Sequence, residues 1–157
     1  MSALAFLREP GTERLLRRAA EAAGVPLSVH FVERNQEGTR ILGWGKCAAC
    51  AHVAALPGGK LACRLSRQTA SGVAQRQQRP VAFVCHLGFG CMSVPLLPGE
   101  GFVLTLGPFA PAGEDQGLPE DVRLGLAALD APEEALAPSL GDIHRVPHGT
   151  VPAVVGW

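Results

Sequence analysis

Five cysteines carry the densest chemistry in this sequence: Cys47, Cys50, Cys63, Cys85 and Cys91. Cys47-Ala48-Ala49-Cys50 is a C-x-x-C pair, and Cys85 and Cys91 flank a short segment containing Leu87-Gly88-Phe89-Gly90. Thiolates are soft donors suited to zinc and to iron–sulfur clusters, and four of them complete a tetrahedral zinc or a four-iron cube. A single C-x-x-C pair does not decide among chemistries. The same spacing serves thiol exchange, and cysteine is also among the residue types most often simply buried. As a group the five argue for a site, because three of them fall at expected element ends beside Gly or His.

His86 follows Cys85 directly. Successive side chains of a strand point to opposite faces, so the pair would share an ion only if the strand ended between them. His86 is therefore read as an orienting or ligand-facing polar residue, and His52 as an exposed one. His144 and His148 have helical spacing, but Pro147 between them argues against a regular helix and against a metal pair. Pro57-Gly58-Gly59-Lys60-Leu61 lacks the spacing of a phosphate-binding loop, and Gly88-Phe89-Gly90 does not extend into a dinucleotide fingerprint. With no nucleophile elbow and no carboxylate pair beside an apolar run, nothing in the pattern supports an enzyme.

The chain around these residues is 157 long, enough for one domain able to bury a core without disulfides or metal as an essential staple. Fourteen basic and fourteen acidic side chains give a formal charge of zero, which excludes a global electrostatic footprint for nucleic acid. The first residues do not resemble an export signal, and residues 81–97 are too short and too interrupted for a membrane span. The expected location is the cytoplasm, where an odd number of unevenly spaced cysteines is not a disulfide framework.

Periodicity predicts a helix over 12–23, with Leu15, Leu16, Ala19, Ala20 and Ala23 on one face. A strand over 27–33 alternates apolar and polar residues as if only one face were buried, a turn follows at 35–38, and a second strand at 40–42. Residues 44–59 fit either a short helix or a loop. A long helix is expected over 60–78, with Leu61, Leu65, Thr69, Val73 and Ala74 inward and Arg64, Arg67, Gln68, Gln75 and Arg76 outward. Strands at 81–86, 91–97 and 101–107, joined by short turns, read as an antiparallel meander. A loop at 108–117, a helix at 119–129 and a weaker helix near Pro132 complete an α+β domain, a PAS/GAF-like antiparallel sheet flanked by helices. A single domain is expected over 1–157, with its core at about 12–130. The apolar end at 150–157 is expected to lead toward a further output domain.

The ordered set Cys50, Cys63-Arg64-Leu65-Ser66, Arg79-Pro80-Val81-Ala82-Phe83-Val84, Cys85-His86-Leu87-Gly88-Phe89 and Val94-Pro95-Leu96 resembles the PocR sensory domain family over roughly residues 12–110. The resemblance implies a PAS-like ligand-sensing module of prokaryotic signal transduction, attached to a DNA-binding or kinase output and sensing small hydrocarbon-like molecules. It also implies ligand-binding roles for His86 and Gly88. Cys47 and Cys91 are additions to that pattern, and Pro108 stands where the family has Gln.

The extra thiols favour a metal group. The leading expectation is a sensor in which Cys50, Cys63 and Cys85, with Cys47 or Cys91, hold an iron–sulfur cluster, 4Fe-4S first, that reads oxygen, nitric oxide or redox state. Zinc is the alternative metal. Two other functions remain open: a small-organic-ligand sensor with structural zinc or no metal, and a thiol redox protein using Cys47 and Cys50. Partners would be a DNA-binding or kinase output domain or protein; a homodimer is compatible with such a module, and no direct contact with nucleic acid or membrane is expected.

Overall fold

Glycine and proline punctuate the chain into short elements, and the computed structural model describes residues 3–32, 39–45, 47–97, 99–111 and 120–146. Helices α1 (Ala3–Leu7) and α2 (Pro10–Ala23) lead into strands β1 (Leu27–Phe31) and β2 (Thr39–Trp44). Pro10 opens α2, where its missing N–H costs nothing, and Gly24 closes it in the left-handed conformation. The ambiguous stretch contains a helix, α3 (Ala48–Ala55), followed by the long α4 (Gly59–Gln77). Strands β3 (Val81–Val84), β4 (Gly90–Leu96) and β5 (Phe102–Pro111) come next, then α5 (Glu120–Ala127), α6 (Glu133–Leu136), a 3-10 helix (Ala137–Asp142) and β6 (His144–Val146).

The expected meander is present, since β3 pairs antiparallel with β4 and β4 with β5. Strand β1 bridges β5 and β2, giving the order β2-β1-β5-β4-β3. This is a mixed α/β domain with an antiparallel sheet flanked by helices, compatible with the PAS/GAF-like class. One addition was not expected: β6 runs parallel to the end of β5, pairing Phe109 with His144 and Pro111 with Val146. Residues 108–111, expected in a loop, accordingly belong to β5. The turn at 35–38, the rest of that loop, His148 and the end at 150–157 lie outside the described residues. Among the described residues no helix is long and apolar enough to cross a membrane.

Both faces of the sheet are covered. Leu27, Val29, Trp44 and Phe102 pack with Leu7 and Ala20 on the α1–α2 side. Ser28 and His30 point the other way yet are also buried, at 6% and 7% exposure, so the polar half of the alternation in β1 faces the interior rather than water. The register sets Ser28 opposite Thr105 and Thr105 opposite Ser93, a row of three buried hydroxyl residues across adjacent strands.

Helix α4 packs over β3, β4 and β5. Its buried residues there are Ala70, Ser71 and, as expected, Ala74, while Leu61 and Leu65, also expected inward, are both 50% exposed. Small side chains let a helix backbone approach a sheet closely, so here size outranks hydrophobicity in choosing the contact face. Helix α2 shows the same departure, with Leu15 exposed and Ala20 buried.

A second close approach fixes the turn after β3. Leu87 and Phe89 insert into a core with Val53, Val122, Leu126 and Leu136. Helix α5 rests on that turn at Gly125, where a Cβ would overlap the His86 carbonyl oxygen and stand 2.8 Å from Leu87 Cα. On an open helix face Gly→Ala stabilises by about 1 kcal/mol, whereas overpacking costs about 1–3 kcal/mol. Gly125→Ala is therefore expected to lower stability in urea unfolding by about 1–3 kcal/mol. An unchanged or raised midpoint would contradict the packing described.

Candidate functional site: a thiol-lined cleft

The five cysteines reach one region from four places in the chain. Cys47 is the N-cap of α3: its backbone is extended, and its Sγ accepts the Cys50 N–H at 3.2 Å. Thiol sulfur thus takes the place usually held by a Ser or Asp oxygen, satisfying one of the orphan donors of the first turn. Cys50 lies in that turn, and Cys63 lies one turn into α4, which packs against α3. Strand β3 ends at Val84, so Cys85 and His86 fall in the following turn and the opposite-face rule for strands does not separate them. Cys91 follows in β4, opposite Phe83 across the hairpin that the sequence suggested.

The turn holding Cys85 and His86 is tightly bonded. Cys85 N–H donates to the Phe89 carbonyl and Gly88 N–H to the Cys85 carbonyl, both at 2.8 Å. Gly88 sits at φ +79°, a left-handed conformation for which glycine is the low-cost residue. The His86 N–H donates to Ser66 Oγ of α4 at 3.1 Å, and its Nε2 lies 3.8 Å from Cys63 Sγ. Gly88 therefore shapes the turn, while His86 ties it to α4 beside a thiol. Burial lowers the His86 pKa, with the Arg67 charge adding to the effect, which favours the neutral ring.

Electrostatics divide the thiols. The Cys50 thiol donates to Cys47, and together with nearby backbone N–H groups this brings the Cys47 pKa down to about 7 against the opposing effect of burial. Cys50, as donor to that thiolate and itself buried, is pushed far up. The same division recurs where Cys91 donates to Cys85: Cys85 falls to about 7 and the buried Cys91 rises. Burial raises Cys63. The charge of Arg67 favours the thiolate at Cys50, Cys63, Cys85 and Cys91, so this one guanidinium serves four of the five thiols.

Beside the thiols a cleft of about 1150 Å³ opens between β1 and helices α3 and α4. Cys47, Cys50 and Cys63 line it, whereas Cys85 packs with Cys47 and Cys63 against the core that holds Leu87 and Phe89. Among the described residues, no three His, Cys, Asp or Glu side chains are grouped as a single metal ion would require. A four-iron cube presents a separate iron to each thiolate, so its ligands need not crowd around one point. The cysteine-rich wall fits that donor set in chemical type.

Arg67, Gln68, Ser71, Ser28 and His30 also line the cleft, and sequence reasoning missed them as site residues. Arg64, Arg67 and Gln68 were expected on the outer face of α4. Arg67 stands four and seven residues before the buried Ser71 and Ala74, so it shares their face, and that face meets the cleft. The available signal was the polar stripe Lys60, Arg64, Arg67, Gln68 and Ser71 at three- and four-residue spacing. His52 is half-buried in α3 and is not part of the cleft lining.

Comparison with protein-family models, curated proteins and solved structures finds no match to this chain.

The Cys47–Cys50 pair yields a direct test. Alkylation of Cys47 by iodoacetamide, followed by mass spectrometry, is expected to rise through a midpoint near pH 7, the value set by the donated hydrogen bonds. Cys50→Ala removes the thiol donor, so the midpoint should move up toward that of an ordinary thiol. An unmoved midpoint would show that the Cys50 thiol does not set the Cys47 charge.

Proposed function

We propose that this chain is the sensing domain of a cytoplasmic prokaryotic regulator and that its cysteine wall holds an iron–sulfur cluster responsive to oxygen, nitric oxide or redox state. The observation that supports this most is the gathering of four thiols around Arg67 with Cys47 hydrogen-bonded to one of them, and the bias of Cys47 and Cys85 toward thiolate at neutral pH. Cys47, Cys50, Cys63 and Cys85 would be the ligands. Cys91, buried in β4 and donating to Cys85, orients its neighbour. When bound, a cluster supplies one-electron chemistry and sensitivity to oxidants that side chains lack.

The residues of the chain perform the rest. The Arg67 guanidinium offsets the negative charge that accumulates on several thiolates. The bond from the His86 backbone to Ser66 fixes the Cys85 turn against α4. A change at Cys47 also reaches beyond the site, because its sulfur caps α3 and an N-cap contributes about 1 kcal/mol. Since α3 packs on α4, α6 and the 3-10 helix, such a change is transmitted to a surface on which a DNA-binding or kinase output, or a second copy of the chain, can respond.

A second reading is that the cleft takes a small organic molecule, with the thiols reduced. Its support is the polar lining of the cleft away from the cysteines, where Gln68 Nε2 and Ser71 Oγ are buried without a partner among the described residues. Thiol exchange through Cys47 and Cys50 is a third reading and draws on the lowered Cys47.

Anaerobic reconstitution with iron and sulfide separates these readings. The wild-type chain is expected to develop a brown, oxygen-sensitive chromophore. Cys63→Ser and Cys85→Ser should each lose most of it, and Cys91→Ser should retain it. A chromophore absent from the wild type, or indifferent to Cys63, contradicts the cluster assignment.

A further inference from the structure

The stripe on α4 carries a second message. Lys60, Arg64, Arg67, Gln68 and Ser71 succeed one another along the helix wall of the cleft, and the lining contains no Asp or Glu among the described residues. In a chain whose formal charge is zero, this is a local concentration of positive charge. Ser71 is only 1% exposed, and its hydroxyl, like the Gln68 side-chain amide nitrogen, has no hydrogen-bond partner among the described residues. A buried donor left unmatched costs about 1–3 kcal/mol, so each such group calls for an acceptor. Both residues belong to the lining of the cleft.

The ligand must therefore supply acceptors and negative charge at one end. At the other it meets Ala51, Ala54 and Ala55, which are apolar. A guanidinium with an adjacent amide and hydroxyl matches a planar carboxylate, and the apolar walls match a short hydrocarbon body. Ser71 lies eight residues beyond Cys63 on α4, about 12 Å along the axis, with Arg67 midway between them, so this subsite adjoins the thiols and shares Arg67 with them. Resting on the second reading of the cleft, we infer that it binds a small organic carboxylate, the carboxyl group held by Arg67, Gln68 and Ser71.

Isothermal titration calorimetry of the full chain with propionate, hexanoate and octanoate, each compared with its primary amide and with inorganic phosphate, tests this. At least one carboxylate is expected to bind at least about tenfold more tightly than its amide, the difference carried by one charge-assisted hydrogen bond. Its affinity should fall with added salt, fall about tenfold or more in Arg67→Ala, and fall less in Arg67→Lys, which keeps the charge without the fork. Thermal melting of each variant verifies folding. Equal binding of acid and amide overturns the carboxylate assignment while leaving an organic-ligand cleft. Tighter binding of phosphate than of any carboxylate overturns it in favour of an inorganic anion. Binding of none of the probes overturns both the assignment and the reading on which it rests.

Discussion

The hydrogen bond from the His86 backbone N–H to Ser66 Oγ joins the two halves of this molecule at its most consequential point. On one side is the turn after β3, closed by its own backbone bonds and anchored by Leu87 and Phe89 in the core. On the other is α4, which carries Cys63, Arg67 and the polar wall of the cleft. Helix α5 braces the turn from behind, close enough that Gly125 leaves no room for a side chain. This junction adds to the packing of Cys63 and Cys85 against one core, and together they hold the turn against α4.

Packing by small residues has a similar reach. Because Arg67 shares the α4 face of the buried Ser71 and Ala74, it is carried to the space above β1 instead of into solvent. That space receives Ser28 and His30 from the sheet, hydrogen-bonded to each other at 2.8 Å, and a cleft with one cationic wall results. Cys47 joins site to scaffold more directly still. It is at once a thiol biased toward its charged form and the cap of α3, so chemistry at the sulfur and order in the first turn of the helix are one equilibrium.

The antiparallel meander, the long helix and the hairpin placing Cys85 near Cys91 were legible because period-two and helical patterns are local and the turns are marked by Gly and Pro. The parallel pairing of β6 with β5 was not, since nothing local in His144–Val146 names a partner so distant along the chain. The inward face of α4 was misread because hydrophobicity favoured Leu61 and Leu65, whereas close approach to the sheet selected alanine and serine. Residues 44–59 offered no periodicity to distinguish helix from loop, and the structure resolves that segment as α3. Of the site, the thiols stood out by type. Arg67, Gln68 and Ser71 did not, since a polar helix face ordinarily meets water.

The central claim is that these thiols hold an iron–sulfur cluster, and metal analysis of the chain purified without exposure to oxygen tests it most directly. The account predicts iron and acid-labile sulfide in equal amounts, about four of each per chain for a cubane cluster. Stoichiometric zinc without sulfide, or no metal with all five thiols titratable, would contradict it.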